Sequence, residues 1–139
     1  MASTFDIRVG CERTSFRFLG VSYGRVNSTW SLPLQVGWPI AKELLFTARI
    51  VEAQEAYRIG LLNHLVASDD LMPKAMELGR QIAANDPRMV QGVKDLVSRN
   101  VGESWDKMYR NELEAQADKL SPTPVAEGFK DFLDRKGGR

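Results

Sequence analysis

The sequence has one cysteine, one histidine and no long apolar run. Cys11 cannot form an internal disulfide, and with no histidine pattern beside it we expect a small buried apolar residue rather than a nucleophile. No stretch approaches the roughly 20 apolar residues that span a bilayer, and no charged head followed by an apolar core indicates a secretory signal. We therefore expect a cytoplasmic protein without a membrane partner.

A strong excess of one charge is also missing, because 19 Lys and Arg stand against 18 Asp and Glu for a net charge of +1. This balance provides no large basic field, so a nucleic-acid partner is not expected. The chain has 43% hydrophobic and 27% charged residues, which is ordinary for a globular domain. A chain of 139 residues is long enough to bury a core.

The most structured pattern runs from Ile40 to Val66 and predicts two helices and a buried strand. The first helix has one apolar stripe at helical spacing, formed by Ile40, Ala41, Leu44, Leu45 and Ala48. A short Arg-Ile-Val bend is expected after it. The second helix should end at Gly60, a typical left-handed C-cap, and the strand follows in residues 61–66.

The segments before this stretch predict two half-buried strands, Asp6–Gly10 and Ser15–Leu19, separated by a charged turn at Glu12 and Arg13. Glycines and small polar residues then predict a loop over residues 20–28. Trp30, Leu32 and Trp38, with nearby prolines, either form a packing cluster or line a pocket, and packing is the interpretation that the pattern favours.

The segment after Val66 predicts a helical tail. Ser68–Asp70 offers N-cap oxygens to a helix whose stripe is Leu71, Ala75, Leu78 and Ile82. Asp86-Pro87 begins the next helix, and Gly102 closes it. Its expected buried stripe is Met89, Val90, Val93, Leu96 and Val97. A third helix runs from Trp105 to about Leu120, and a fourth begins at Thr123-Pro124, with Phe129, Phe132 and Leu133 inward.

Residues 40–66 closely resemble a segment of the crotonase superfamily, the enoyl-CoA hydratases and isomerases, written A-x-E-x-x-x-T-G-R-x-x-x-A-x-E-A-x-x-x-G-L-V-N-x-V-V. The matching residues are Ala41, Glu43, Thr47, Arg49, Ala53, Glu55, Ala56, Gly60, Leu61, Asn63 and Val66. Ala48 stands where the family usually has glycine. The resemblance extends upstream through FDIRVGCERTSFRF and downstream to EGFKDFLDRK, so it covers nearly the whole chain.

The resemblance implies an α/β fragment of the crotonase (ClpP/crotonase) spiral fold, with a few N-terminal strands followed by a mostly helical part. Residues 1–66 would be a remnant of the spiral core, and residues 67–139 a helical oligomerisation region. The chain would be about half of a typical member, the C-terminal half. The two turns that supply the family's backbone oxyanion hole are not found, and loss of one such donor costs roughly 100- to 1000-fold in rate.

Hydratases of the family use two glutamates as general acid and base. The first would lie upstream of Met1, and the second would align near Leu19 or Gly20, where the sequence has no carboxylate. The nearest polar residues are Tyr23, Ser22, Asn27 and Ser28. Tyr23, and more weakly Ser22, are candidate proton donors. A tyrosine in a glycine-flanked turn is more often packed or solvent-exposed.

The family's acyl-binding walls would correspond to Gly20, Trp30 and Trp38. The residues nearest to coenzyme A would be Phe129, Phe132, Arg135 and Lys136, whose cations suit nucleotide phosphates. The alternative for Arg135 and Lys136 is a solvated basic helix end. His64 is expected to be structural. No metal site and no resident cofactor are predicted, because the coenzyme A thioester is the substrate.

These features predict the C-terminal portion of an enoyl-CoA hydratase/isomerase-like enzyme of fatty acid metabolism, catalytically incomplete alone. The expected partners are an acyl-CoA and either further copies of the chain, as a trimer or hexamer, or a complementing N-terminal half that pairs with strands left without neighbours. A non-catalytic oligomerisation or acyl-CoA-binding module is the alternative. An intact small enzyme using Tyr23 or Ser22 is a third hypothesis.

Overall fold

The computed structural model describes residues 5–124. The chain divides into two compact units, Met1–Arg80 and Gln81–Arg139, of which residues 5–80 and 81–124 are described. The predicted division of the chain into residues 1–66 and 67–139 stays a prediction. Within residues 5–124 no helix has both the length and the apolar character needed to cross a membrane.

The first unit contains two small sheets. Strand β1 (Val9–Gly10) pairs in parallel with β4 (His64–Leu65), and β2 (Ser15–Arg17) pairs antiparallel with β3 (Ile50–Glu52). Phe16 lies opposite Val51 in the second ladder. The predicted strands are present but shorter than expected. The expected Arg-Ile-Val bend is wrong, because Ile50 and Val51 belong to a strand paired with β2.

Three short helices lie between the strands of the first unit: α1 (Leu32–Val36), α2 (Trp38–Thr47) and α3 (Ala53–Arg58). The α2 and α3 helices confirm the predicted pair, and Gly60 after α3 has a left-handed φ of 80°. This conformation is open to glycine without a Cβ penalty, which explains why the chain turns towards β4 there. The α1 helix was not predicted.

The core of the first unit combines residues of α1, α2, β3 and α3 with Phe18 and with the segment just before β4. Its buried residues are Phe18, Leu32, Val36, Ala41, Leu44, Val51, Ala56, Leu61 and Leu62. Leu44 and Val51 are fully buried, and Cys11 is 5% exposed, as predicted for a small apolar residue. The packing-cluster prediction is wrong for both tryptophans, since Trp30 is 73% and Trp38 65% exposed. Only Leu32 of that group is in the core.

Arg49 joins α2 to α3. Its guanidinium donates to Glu43 Oε1 at 2.8 Å and makes two hydrogen bonds of 2.7 and 2.6 Å with the carboxylate of Glu55. The hydrogen bonds from Arg49 lower the pKa of Glu55 and raise that of Arg49 itself. Glu43, Arg49 and Glu55 of the family-like motif therefore form one ion-pair network. This network spans the turn at Ala48, which has a left-handed φ of 50°.

The tail begins with a short 3₁₀ turn at Ser68–Asp70 and continues as α4 (Leu71–Ala83). The division between the two units falls inside α4. The helix confirms the prediction, but none of its residues is fully buried.

The second unit contains α5 (Pro87–Arg99) and α6 (Trp105–Ala117). Asp86 is the predicted N-cap of α5, because its carboxylate accepts from Arg88 N at 2.8 Å. The predicted buried stripe of α5 is wrong for Val93 and Val97, which are exposed. The α6 helix ends three residues before Leu120. The predicted fourth helix, with Phe129, Phe132 and Leu133, lies outside the described residues.

Candidate functional site

A compact loop follows β2 at the position where the resemblance places the second catalytic glutamate. Residues Gly20–Tyr23 form one 3₁₀ turn, and Gly24 ends it with a left-handed φ of 63°. Arg25 N donates to Gly20 O at 2.9 Å, so the chain returns to the start of the turn. This return brings the residues after Gly24 beside those before it.

Residues of the loop line a solvent-open cavity of about 390 Å³, which we name the Gly20 cavity. Its lining residues are Leu19, Gly20, Tyr23, Arg25 and Asn27. The phenol of Tyr23, the guanidinium of Arg25 and the amide of Asn27 thus line the same cavity as Gly20, which has no side chain. No aspartate or glutamate lines this cavity, in agreement with the missing carboxylate in the sequence.

Gly20 is buried against the returning chain. A Cβ at this position would lie 2.8 Å from Arg25 O and 2.9 Å from Asn27 Oδ1. Distances below 3.0 Å require movement of the neighbouring atoms, and one of these neighbours is backbone. The space that a side chain at Gly20 would enter is therefore taken by the Asn27 amide and the Arg25 carbonyl.

A second, smaller cavity of about 160 Å³ adjoins the loop, and we name it the Phe46 cavity. Its lining residues are Val21, Arg25, Val26, Asn27, Thr29, Leu45 and Phe46. Most of these side chains are apolar. Arg25 and Asn27 line both cavities, so the polar and apolar spaces meet at these two residues.

The structure brings some of the predicted site residues together. Gly20 and Tyr23 line the same cavity, and Ser22 belongs to the same 3₁₀ turn without lining it. Trp30 and Trp38 line neither the Gly20 cavity nor the Phe46 cavity. Their assignment to the acyl pocket stays a prediction.

The remaining site predictions concern the coenzyme A side and the single histidine. Phe129, Phe132, Arg135 and Lys136 lie outside the described residues. His64 pairs with Val9 in the β1–β4 ladder. Among residues 5–124 no group of three or more His, Cys, Asp or Glu side chains is arranged to hold a metal ion.

Arg25 is the cavity residue that the sequence did not single out. Its position beside Gly20 depends on the 3₁₀ turn and on the left-handed conformation of Gly24. Neither feature produces a periodic hydrophobic pattern in the sequence. The Tyr-Gly-Arg order was the available clue, because a glycine between two long polar side chains allows the chain to reverse and bring them together.

The second unit has an open groove of about 430 Å³ between α5 and α6. Its lining residues are Met89, Val93, Leu96, Val97, Asn100, Glu112, Gln116, Leu120 and Pro122. Asn111 of α6 is buried and donates through Nδ2 to Asn100 Oδ1, at the end of α5, at 2.7 Å. The groove is mainly apolar, and Glu112 is the one acidic side chain among its lining residues.

The sequence profile of the family described as Enoyl-CoA hydratase/isomerase matches residues 1–138. The short-chain-enoyl-CoA hydratase of Clostridium acetobutylicum is 31% identical over 98% of this chain and 53% of its own length. The solved enoyl-CoA hydratase/isomerase of Cupriavidus metallidurans superposes with a TM-score of 0.88 at 26% identity, covering 96% of this chain and 52% of that one.

A putative enoyl-CoA hydratase from Thermobifida fusca, solved in complex with acetoacetyl-CoA, has a TM-score of 0.79 at 26% identity. The likeness covers 86% of this chain and 48% of that one. The chain thus spans about half the length of the relatives it matches. The profile match over 138 residues and the shared fold confirm the resemblance of the motif: the chain belongs to the enoyl-CoA hydratase/isomerase family, with a crotonase fold.

Proposed function

We propose that this chain is the C-terminal portion of an acyl-CoA enzyme and is catalytically incomplete alone. In this proposal it supplies one wall of the acyl site, while the donors of the oxyanion hole come from a complementing portion. The observation that carries the proposal is the Gly20 cavity. The resemblance places an acid–base carboxylate near Leu19 or Gly20, and the cavity at that position is lined by no acidic residue, with Asn27 Oδ1 packed against Gly20.

An acyl-CoA substrate is favoured by the likeness to the Thermobifida fusca protein solved with acetoacetyl-CoA. Hydration needs a group that positions water and a group that delivers a proton. Tyr23 carries an O–H at the cavity and could serve as the donor, with Ser22 as the weaker candidate. Neither residue replaces a carboxylate that removes a proton from water. We therefore expect binding without hydration.

Phe129, Phe132, Arg135 and Lys136 are the proposed contacts to coenzyme A on this chain. Positive side chains suit the nucleotide phosphates, and aromatic side chains suit the adenine face. This part of the proposal rests on the family-like segment EGFKDFLDRK. No metal or resident cofactor enters the proposal.

The second part of the proposal is that the chain assembles, either with further copies of itself as a trimer or hexamer, or with the complementing half. It is favoured by large apolar side chains that the second unit leaves exposed, among them Val93, Val97, Trp105 and Tyr109. Trp105 is 88% exposed at the start of α6. The same observation favours the oligomerisation form of the alternative function, which is a non-catalytic oligomerisation or acyl-CoA-binding module.

The test combines light scattering, calorimetry with pentanoyl-CoA, and a hydration assay with crotonyl-CoA on one preparation. An assembly that binds the acyl-CoA without turnover supports the proposal. Hydration by the chain alone would contradict the proposed incompleteness. An assembly with no acyl-CoA binding would favour the module.

The role of Tyr23 has its own control. If crotonyl-CoA is turned over, Tyr23→Phe should abolish that turnover, whereas Tyr57→Phe, a half-exposed tyrosine of α3 that lines neither cavity, should not. Equal rates in the two variants would exclude Tyr23 as the proton donor.

A further inference from the structure

Arg25 differs from Arg8, Arg17 and Arg49 of the first unit, whose side chains each have a hydrogen-bond partner. Arg17 Nε donates to Ala48 O at 2.7 Å, Arg8 Nε donates to Leu61 O at 2.6 Å, and Arg49 holds two carboxylates. Within residues 5–124 the side chain of Arg25 makes no ion pair. Its charge is available to a ligand at the cavity that it lines.

The polar side chains beside Arg25 can donate hydrogen bonds. The Gly20 cavity combines the Arg25 guanidinium with the Tyr23 hydroxyl and the Asn27 amide, and none of its lining residues is acidic. A planar guanidinium matches the two oxygens of a carboxylate, and neutral donors beside it complete the recognition of an anion. The cavity is therefore suited to a carboxylate and poorly suited to a cation.

The adjoining Phe46 cavity adds an apolar space to this anion site. Val21, Val26 and Phe46 line it, and Arg25 and Asn27 lie at the junction with the Gly20 cavity. A ligand that fills both spaces has an aliphatic segment and an anionic end.

We propose that the acyl group recognised by this chain ends in a carboxylate, and that Arg25, with Asn27 beside it, determines this specificity. The substrate class is then a dicarboxylic acyl-CoA. The inference rests on the proposed function, because it assigns the substrate of the same site. The backbone bond from Arg25 N to Gly20 O and the contact of Asn27 with Gly20 fix both residues at the cavity.

The test compares glutaryl-CoA with pentanoyl-CoA by calorimetry on the full chain. The two acyl groups have the same five-carbon length and differ in a carboxylate against a methyl end. We expect glutaryl-CoA to bind about tenfold more tightly, the effect of one charge-assisted pair at an open site. Arg25→Gln should reduce its affinity to about that of pentanoyl-CoA.

Arg58→Gln is the matched control. It removes the same charge from α3, where the Arg58 side chain is 75% exposed and lines neither cavity. This variant should keep the tenfold preference, which separates recognition by Arg25 from general attraction of the coenzyme A phosphates. Asn27→Asp, which adds a negative charge at the junction, should weaken glutaryl-CoA selectively and provides a second test if Arg25→Gln fails to fold.

The outcomes separate the two proposals. Binding of pentanoyl-CoA and glutaryl-CoA with equal affinity would overturn the carboxylate specificity and leave the acyl-CoA function standing. Equal losses in Arg25→Gln and Arg58→Gln would also overturn it. If neither thioester nor coenzyme A itself binds, the proposed function fails, and the specificity fails with it.

Discussion

Replacement of Gly20 by alanine should destabilise the first unit for a purely steric reason. The added Cβ would lie 2.8 Å from Arg25 O, and the backbone bond from Arg25 N to Gly20 O prevents that segment from moving away freely. Overpacking of this kind costs about 1 to 3 kcal/mol. The lower entropy of the unfolded alanine chain offsets about 0.4 to 1 kcal/mol of that cost. With the middle of each range, we expect a net loss of about 1 kcal/mol.

Urea unfolding monitored by circular dichroism measures this loss as a lower midpoint at unchanged m-value. Gly79→Ala is the matched control, because Gly79 lies inside α4 and nothing stands within 4 Å of its would-be Cβ. That variant should gain about 0.5 to 1 kcal/mol from helix propensity alone. A Gly20→Ala variant that is as stable as the native chain would refute the steric argument.

The same geometry predicts the result of restoring the missing acid. Gly20→Glu adds the Cβ and a longer side chain to a space occupied by Arg25 O and the Asn27 amide. We expect this variant to lose stability like Gly20→Ala and to gain no hydration of crotonyl-CoA. Hydration by a stable Gly20→Glu variant would contradict both the crowding and the proposed incompleteness of the site.

Three further predictions concern stability. Arg49→Lys should lower the urea midpoint at neutral pH, since lysine cannot reproduce the bidentate contact with Glu55. Arg49 lowers the pKa of Glu55 in the folded chain, so this contact stabilises the fold fully at pH values above the unfolded pKa of about 4.3. The stabilisation is lost as the pH falls through the folded pKa, and the difference between the two chains should vanish at acid pH. Leu44→Ala should cost about 2 to 5 kcal/mol because Leu44 is fully buried, whereas exposed Phe46→Ala should cost far less; equal losses would contradict the burial pattern. Asp86→Ala should cost about 1 kcal/mol by removing the N-cap bond of α5, and Asp95→Ala, within the same helix, is its control.

Local patterns in the sequence were sufficient to predict α2 and the start of α5, but not α1, which also contributes core residues. The stripe of Ile40 to Ala48 predicts α2, and the Asp86-Pro87 pair predicts the start of α5 with its cap. Both signals are local, because a helix satisfies its own backbone and its caps lie within a few residues. The family resemblance supplied the fold class, which local signals alone did not.

The failed predictions depended on contacts between distant segments. Ile50–Glu52 is a strand only because Ser15–Arg17 lies beside it, and no periodicity within three residues could reveal that. Trp30, Trp38, Val93 and Val97 have the hydrophobicity of core residues yet lie exposed. Hydrophobicity indicates that a side chain favours burial, but not which surface covers it. Arg25 was missed because its position depends on a turn.

The β1–β4 ladder sets the order in which the first unit can fold. It joins Val9 to His64, so more than fifty residues must be brought into a closed loop for a ladder of two residue pairs. The α2 and α3 helices and the β2–β3 pair enclose shorter loops, and the entropy of closing β1 against β4 is lower once they have formed. Hydrogen exchange should therefore show α2 amides protected early in refolding and the amides of Asn63 and Val66, which bond to Arg8 O and Gly10 O, protected last.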